Sequence, residues 1–136
     1  FFKKSTTKPE PSPDSTRKKG RAAEQVAADY LESHGYRIVE RNFQCAIGEI
    51  DIIAHHNGDL VFIEVRSGSS PRTVNPAYSI NRTKQNKIAH VAQYYLSRFR
   101  NVPPARFDVV LVRMSQTPQI ELIPDAFSVE AGVFGF

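Results

Sequence analysis

A chain of 136 residues with 40% hydrophobic composition has room for one domain with a real core and not for two. Its one cysteine, Cys45, excludes an internal disulfide framework, and no Cys/His cluster has the spacing of a structural zinc site, so a reducing, cytoplasmic setting is expected. The net charge of +4 and pI near 9.4 point to an anionic partner, while no apolar run approaches a bilayer-spanning length and Phe1-Phe2-Lys3-Lys4 leads into Ser, Thr, Lys and Pro instead of a signal-peptide core, so no membrane is expected.

Residues 1–17, rich in Ser, Thr, Lys and Pro with Pro9, Pro11 and Pro13 closely spaced, read as a disordered basic tail. From Lys18 to Ser33 the apolar positions Ala23, Val26, Ala27, Tyr30 and Leu31 share one helical face, and Gly35 stands where a left-handed C-terminal residue belongs. Tyr36–Phe43 and Gly48–His55 read as strands, Asn57-Gly58 as a hairpin turn, and Leu60–Arg66 as a third strand, which together make a meander. Ser67–Tyr78, with Gly68, Pro71 and Pro76, reads as a loop. Asn81–Phe99 carries Lys84, Ile88, Val91, Ala92, Tyr95, Leu96 and Phe99 at three- and four-residue steps, predicting an amphipathic helix that Pro103 and Pro104 stop. Phe107–Arg113 and Gln119–Ile123 complete the strands; the folded domain is expected over 18–125, with 126–136 as a C-terminal extension of no assigned structure.

Charge is sorted along the chain. Residues 1–21 have a balance of +5, which leaves the remainder at −1, yet from Val65 to Phe107 there are eight Lys or Arg and no Asp or Glu. A one-signed block of 43 residues fits a phosphate-facing surface better than an ordinary solvated face.

The chemistry-bearing stretch is Gly48-Glu49-Ile50-Asp51-Ile52-Ile53-Ala54, the Asn-Gly turn, then Val61-Phe62-Ile63-Glu64-Val65-Arg66. A two-residue loop at Asn57-Gly58, or a four-residue loop centred there, sets Asp51 opposite Glu64 and Glu49 opposite Arg66. One face then collects Ile50, Ile52, Ala54, Val61, Ile63 and Val65, the other Glu49, Asp51, Ile53, Phe62, Glu64 and Arg66. Facing carboxylates repel, and a shared divalent cation is the simplest remedy: Mg²⁺ uses one or two carboxylates with waters and substrate phosphate, and would favour in-line attack on phosphorus. An exposed strand face whose acids pair with Lys or Arg elsewhere explains the spacing equally well. Glu24, at the edge of the first helix's apolar stripe, is a second-rank candidate, since a lone helical acid is more often solvated.

The order Arg21-Ala22-Ala23-Glu24, Gly35-Tyr36, Asn42, Gly48-Glu49-Ile50-Asp51, Val61-Phe62-Ile63-Glu64-Val65 and Arg106-Phe107-Asp108-Val109-Val110 resembles the YraN-like family of small bacterial proteins, over roughly residues 18 to 125. That family is assigned to the restriction-endonuclease-like, PD-(D/E)XK, superfamily and is similar to archaeal Holliday junction resolvases. The resemblance implies an α/β fold with a central mixed β-sheet flanked by helices and metal-dependent nuclease chemistry with Mg²⁺ or Mn²⁺. It implies Asp51 and Glu64 as metal ligands, Glu24 as a supporting acid, and position 66 as the usual catalytic lysine. Here position 66 is Arg, which stays charged and cannot serve as a base, although it can orient water and neutralise a transition state.

The expected partner is nucleic acid, DNA in the first instance, met by Arg66, Arg72, Arg82, Lys84, Gln85 and Lys87; the oligomeric state stays open, a homodimer included. Two rivals to a nuclease remain. One is a nuclease-like fold that binds nucleic acid without cutting it; the other is a module whose basic face meets an acidic protein.

Overall fold

The computed structural model describes residues 13–68 and 80–129. Helix α1 (Pro13–Ser33) is followed by strands β1 (Arg37–Gln44), β2 (Glu49–His56) and β3 (Asp59–Ser67), helix α2 (Arg82–Leu96), and strands β4 (Ala105–Arg113) and β5 (Gln119–Phe127). The five strands form one mixed sheet in the order β1-β2-β3-β4-β5, antiparallel except for the parallel pair β3 and β4. The α2 crossover between those two strands is what a parallel pair requires. The fold is therefore α/β, a mixed sheet with a helix on each face.

Helix α1 starts five residues before the expected Lys18, so 13–17, read as tail from composition, are helical. Proline is well suited to the first helical turn because its fixed φ is already helical and its missing N–H would have no partner there. The helix ends as Gly35 predicts: with φ +89° there, Tyr36 N–H donates to Leu31 O at 3.0 Å and Gly35 N–H to Glu32 O at 3.3 Å, a Schellman closure. Ala23, Ala27, Ala28 and Leu31 are buried against Ile52, Ala54, Val61, Ile63, Val110 and Val112, the small side chains letting the helix lie close to the sheet.

On the other face, Ile88, Ala89, Val91, Ala92, Tyr95 and Leu96 of α2 cover Phe43, Ile50, Ile53, Leu60, Phe62 and Phe107. Asn81 caps this helix, its side chain accepting from Lys84 N–H at 2.8 Å. The helix stops at Leu96, short of the expected Phe99, with Ser97 as its C-cap. β3 lies between both helices, and its Leu60–Ile63 run is buried throughout, as a strand covered on both faces must be.

A polar knot ties the sheet near the β2–β3 turn. Asp108, fully buried, accepts from Tyr36 Oη at 2.7 Å, Arg106 Nε at 3.0 Å and the Asp125 N–H at 2.8 Å, while Arg106 also donates to Asp59 at 2.8 Å and to His56 Nδ1 at 2.8 Å. Burial and then the bond to Asp108 push the Tyr36 hydroxyl up to about 12, so it remains a donor. Strand β5 runs to Phe127, four residues past the expected Ile123, because it bulges at Asp125 (φ +52°) instead of ending at Pro124. The expectations for residues 1–12, for the loop from residue 69 to 79 with Arg72, and for 130–136 lie outside the described residues.

Candidate active site

Of the two loop lengths expected the hairpin takes the two-residue one, with φ +52° at Asn57 and +85° at Gly58, and the register follows, Ile53 opposite Phe62 and Ile52 opposite Ile63. One step further Asp51 should pair with Glu64, and there the strands change relationship: Asp51 Oδ2 accepts the Val65 N–H at 2.8 Å. A side chain has taken the place of a backbone partner, so Asp51 and Glu64 meet where β2 and β3 come apart and not within a regular ladder.

Opposite Asp51 on the other side, between the pairs Arg41–Ile52 and Phe43–Ile50, stands Asn42 with φ +55°. Asparagine tolerates this left-handed conformation, and one such residue reverses the alternation of a strand. The faces accordingly swap at Asn42 and Asp51: Arg41 reaches Gln25 of α1 at 2.9 Å, whereas Phe43 and Ile50 pack under α2. Ile50 therefore does not share a face with Ile52 as the simple alternation predicts. Nor does Glu49 oppose Arg66; it pairs with Gln44, whose Nε2 donates to it at 3.1 Å.

The swap gathers carboxylates from three elements. Asp51 is 8% exposed, and Glu64 of β3 and Glu24 of α1 both lie near enough to act on its charge, while the Asn42 side chain favours the charged form of Glu24. Burial first, and the Asp51 charge second, push Glu64 up to about 7, against the pull of Lys84 and Arg66. Burial also raises Asp51, against the Val65 N–H, which favours its charged form. Glu24 is raised by burial and then by Asp51. Two carboxyls this close, one buried and the other largely so, repel unless a proton or a cation lies between them.

The cations beside them are Lys84 Nζ, 3.8 Å from Glu64 Oε2, and an Arg66 guanidinium nitrogen, 3.9 Å from the same oxygen. On the α1 side an open cleft of about 580 Å³ is lined by Gly20, Arg21, Glu24, Asn42, Gln44 and Glu49. Among the described residues no group of three or more His, Cys, Asp or Glu side chains is placed to hold a metal ion. Asp51 and Glu64 are the residues that could hold one, and two carboxylates suit Mg²⁺, which keeps several waters and takes its remaining oxygens from substrate.

Of the residues singled out in the sequence, Glu24, Asp51, Glu64, Arg66 and Lys84 come together. Arg82 is exposed on the first turn of α2, and Lys87 lies one turn on, its stem beside Gly48. Gln85 does not face outward: its Nε2 donates to Ile80 O at 2.8 Å, which holds the chain at the entrance to α2. Sequence reasoning missed Asn42 and Glu49 as parts of the site and Lys84 as a neighbour of Glu64. Asn at the centre of a strand pattern was the available signal for the first, since it favours left-handed backbone; nothing local announces the others.

A family model described as "Uncharacterised protein family UPF0102" matches residues 23–112. Relatives of that name include a protein of Hahella chejuensis, 46% identical over 111 residues that span 80% of this chain and 89% of the relative. Another, from Syntrophus aciditrophicus, is 44% identical over 115 residues, 83% of this chain and 91% of its own. Among solved structures, Pyrococcus furiosus SfsA in complex with Ca²⁺ aligns over 81% of this chain and 64% of its own at 15% identity, with a TM-score of 0.33, too distant a likeness to carry an argument. The chain belongs to the UPF0102 family.

Proposed function

We propose that this UPF0102 protein is a Mg²⁺- or Mn²⁺-dependent endonuclease that hydrolyses phosphodiester bonds of DNA, single-stranded or branched, in the cytoplasm, on a restriction-endonuclease-like fold akin to that of archaeal Holliday junction resolvases. The observation that carries this reading is the close approach of buried Asp51 to Glu64, with Lys84 and Arg66 beside Glu64 and with Glu24, which also feels the Asp51 charge, lining an open cleft. Burying two like charges side by side is costly unless a proton or a cation joins them, and a cation turns the cost into a function.

A bound Mg²⁺ or Mn²⁺ supplies a polarised phosphoryl oxygen and a water of lowered pKa. Asp51 is held for ligation by the Val65 N–H, which fixes one carboxylate oxygen and favours its ionised form. Glu64 offers the second carboxylate, and Glu24 supports Asp51 from α1. Arg66 and Lys84 would bring positive charge to the phosphoryl oxygens as the attacking oxygen adds and the leaving oxygen departs, the electrostatic part of the catalysis. Arg66 orients and neutralises but does not take a proton.

Arg66 also favours a second reading, a nucleic-acid-binding protein that does not cut. Labelled linear, single-stranded and branched DNA incubated with Mg²⁺, Mn²⁺ or EDTA separates the two. Metal-dependent products support the nuclease; salt-dependent binding without products supports the second reading; an absence of binding overturns both.

A further inference from the structure

Helix α2 carries a second surface that the carboxylate site does not use. Lys84, Lys87, buried Val91 and Tyr94 follow at three- and four-residue steps along the helix, and Arg98, two residues past its end, continues the line. Their neighbours identify the line: a Cβ built on Gly48 would come within 3.4 Å of Lys87 and Val91, the Tyr94 ring is 6.4 Å from that of Phe43, and the Arg98 guanidinium lies 5.5 Å over the same Phe43 ring. The line thus borders the β1 edge of the sheet. The β1–β2 turn, closed by Cys45 N–H to Gly48 O at 2.9 Å, carries exposed Ile47 beside it.

Tyr94 is 54% exposed although it belongs to a residue type that normally buries its ring, and it follows a tyrosine, Tyr95, that is buried. Segment Arg82–Leu96 has no Asp or Glu, and the exposed ring has Lys87 seven residues before it and Arg98, stacked 4.0 Å over Tyr95, four residues after. An aromatic platform between phosphate-seeking charges is what a single strand needs, because every unpaired base presents a π-face and duplex bases do not. The line also has a direction. It begins at Lys84, in contact with Glu64, and Tyr94 lies ten residues on, about 15 Å along the helix.

We infer that Lys87, Tyr94 and Arg98 form a track for single-stranded nucleic acid leading to the Asp51–Glu64 site, with an unpaired base stacked on Tyr94 and the backbone on the two cations. This rests on the nucleic-acid reading above but not on cleavage. The chain has no tryptophan, so Tyr94→Trp introduces a single reporter at the exposed position.

The experiment pairs its emission with anisotropy of labelled oligo(dT) and of a blunt duplex of equal phosphate content, at several salt concentrations without divalent ions. The expected result is quenching by oligo(dT) and little by the duplex. In the otherwise native chain Tyr94→Phe should bind oligo(dT) as the parent does, Tyr94→Ala about tenfold more weakly, and Lys87→Ala with Arg98→Ala should show a shallower salt dependence. Binding by anisotropy without quenching, or equal quenching by the duplex, overturns the track while leaving the nucleic-acid reading intact. An absence of binding overturns both. Emission that changes with protein concentration alone, together with dimer-sized scattering, shows instead that a second copy covers Tyr94 and also overturns the track.

Discussion

Replacing Glu64 by Gln keeps the shape of the side chain and removes one charge from the buried pair. Glu64 holds its proton more tightly in the folded chain, to about pH 7, than its ordinary value of 4.5. Between those values the folded state carries the extra proton, so its contribution is fully present below about pH 4.5 and is lost as pH rises through about 7. At 1.36 kcal/mol per pH unit, that interval corresponds to on the order of 3 kcal/mol for the pair. The pull of Lys84 and Arg66, at 3.8 and 3.9 Å from the Glu64 carboxyl, is already contained in that value. The metal-free Gln variant should therefore match the parent near pH 4 and exceed it at pH 8 by on the order of 3 kcal/mol, several degrees in Tm. Melts in EDTA from pH 4 to 8 measure this, and a parallel series with Mn²⁺ should raise the Tm of the parent and not of the variant. Parallel pH profiles in EDTA, or a variant less stable than the parent at pH 8, would refute the repulsion on which the metal site depends.

Arg66→Lys should retain or increase DNA cleavage, because an ammonium beside Glu64 can hold and activate water where guanidinium only orients it; a variant inactive under conditions where the parent cuts would show that the guanidinium itself is required. Substituting Arg82, Lys84 and Lys87 together by Ala should weaken DNA binding and flatten its salt dependence without lowering helix content, as read by filter binding across a salt series and by circular dichroism. Asp108→Ala should cost about 3 kcal/mol or more in urea denaturation, since it leaves Arg106 and Tyr36 buried without their shared acceptor, yet should leave Mn²⁺ affinity near that of the parent, because the knot is distinct from the carboxylate site.

Local chemistry made much of this molecule legible in the sequence. Asn57-Gly58 admits one kind of turn, and that turn fixed Ile53 opposite Phe62 and so brought Asp51 to Glu64. The helix faces followed from periodicity, and the Gly35 closure from its need for positive φ. What stayed hidden depends on tertiary choices. Asn42 has the same letters around it whether or not its backbone turns left-handed, and only that turn sends Ile50 under α2 and brings Glu49 to the cleft with Glu24. Lys84 reaches Glu64 because α2 crosses over the sheet, a relation between residues twenty positions apart with no local signature. Arg106 and Asp108, two residues apart on β4, share one face in any strand, but that this pair is inside the protein is decided by Tyr36, Asp59 and Asp125 arriving from elsewhere.

The central claim is that Asp51 and Glu64 hold a divalent cation for cutting DNA. Its most direct test is a cleavage time course on labelled branched and single-stranded DNA, run with Mg²⁺, stopped with EDTA and restarted with excess Mg²⁺, for the parent and for an identically purified Asp51→Asn variant. The account predicts products from the parent that stop and resume with the metal, and none from the variant. Equal cleavage by both proteins, or no cleavage by a parent that binds the same DNA with the expected salt dependence, would contradict it.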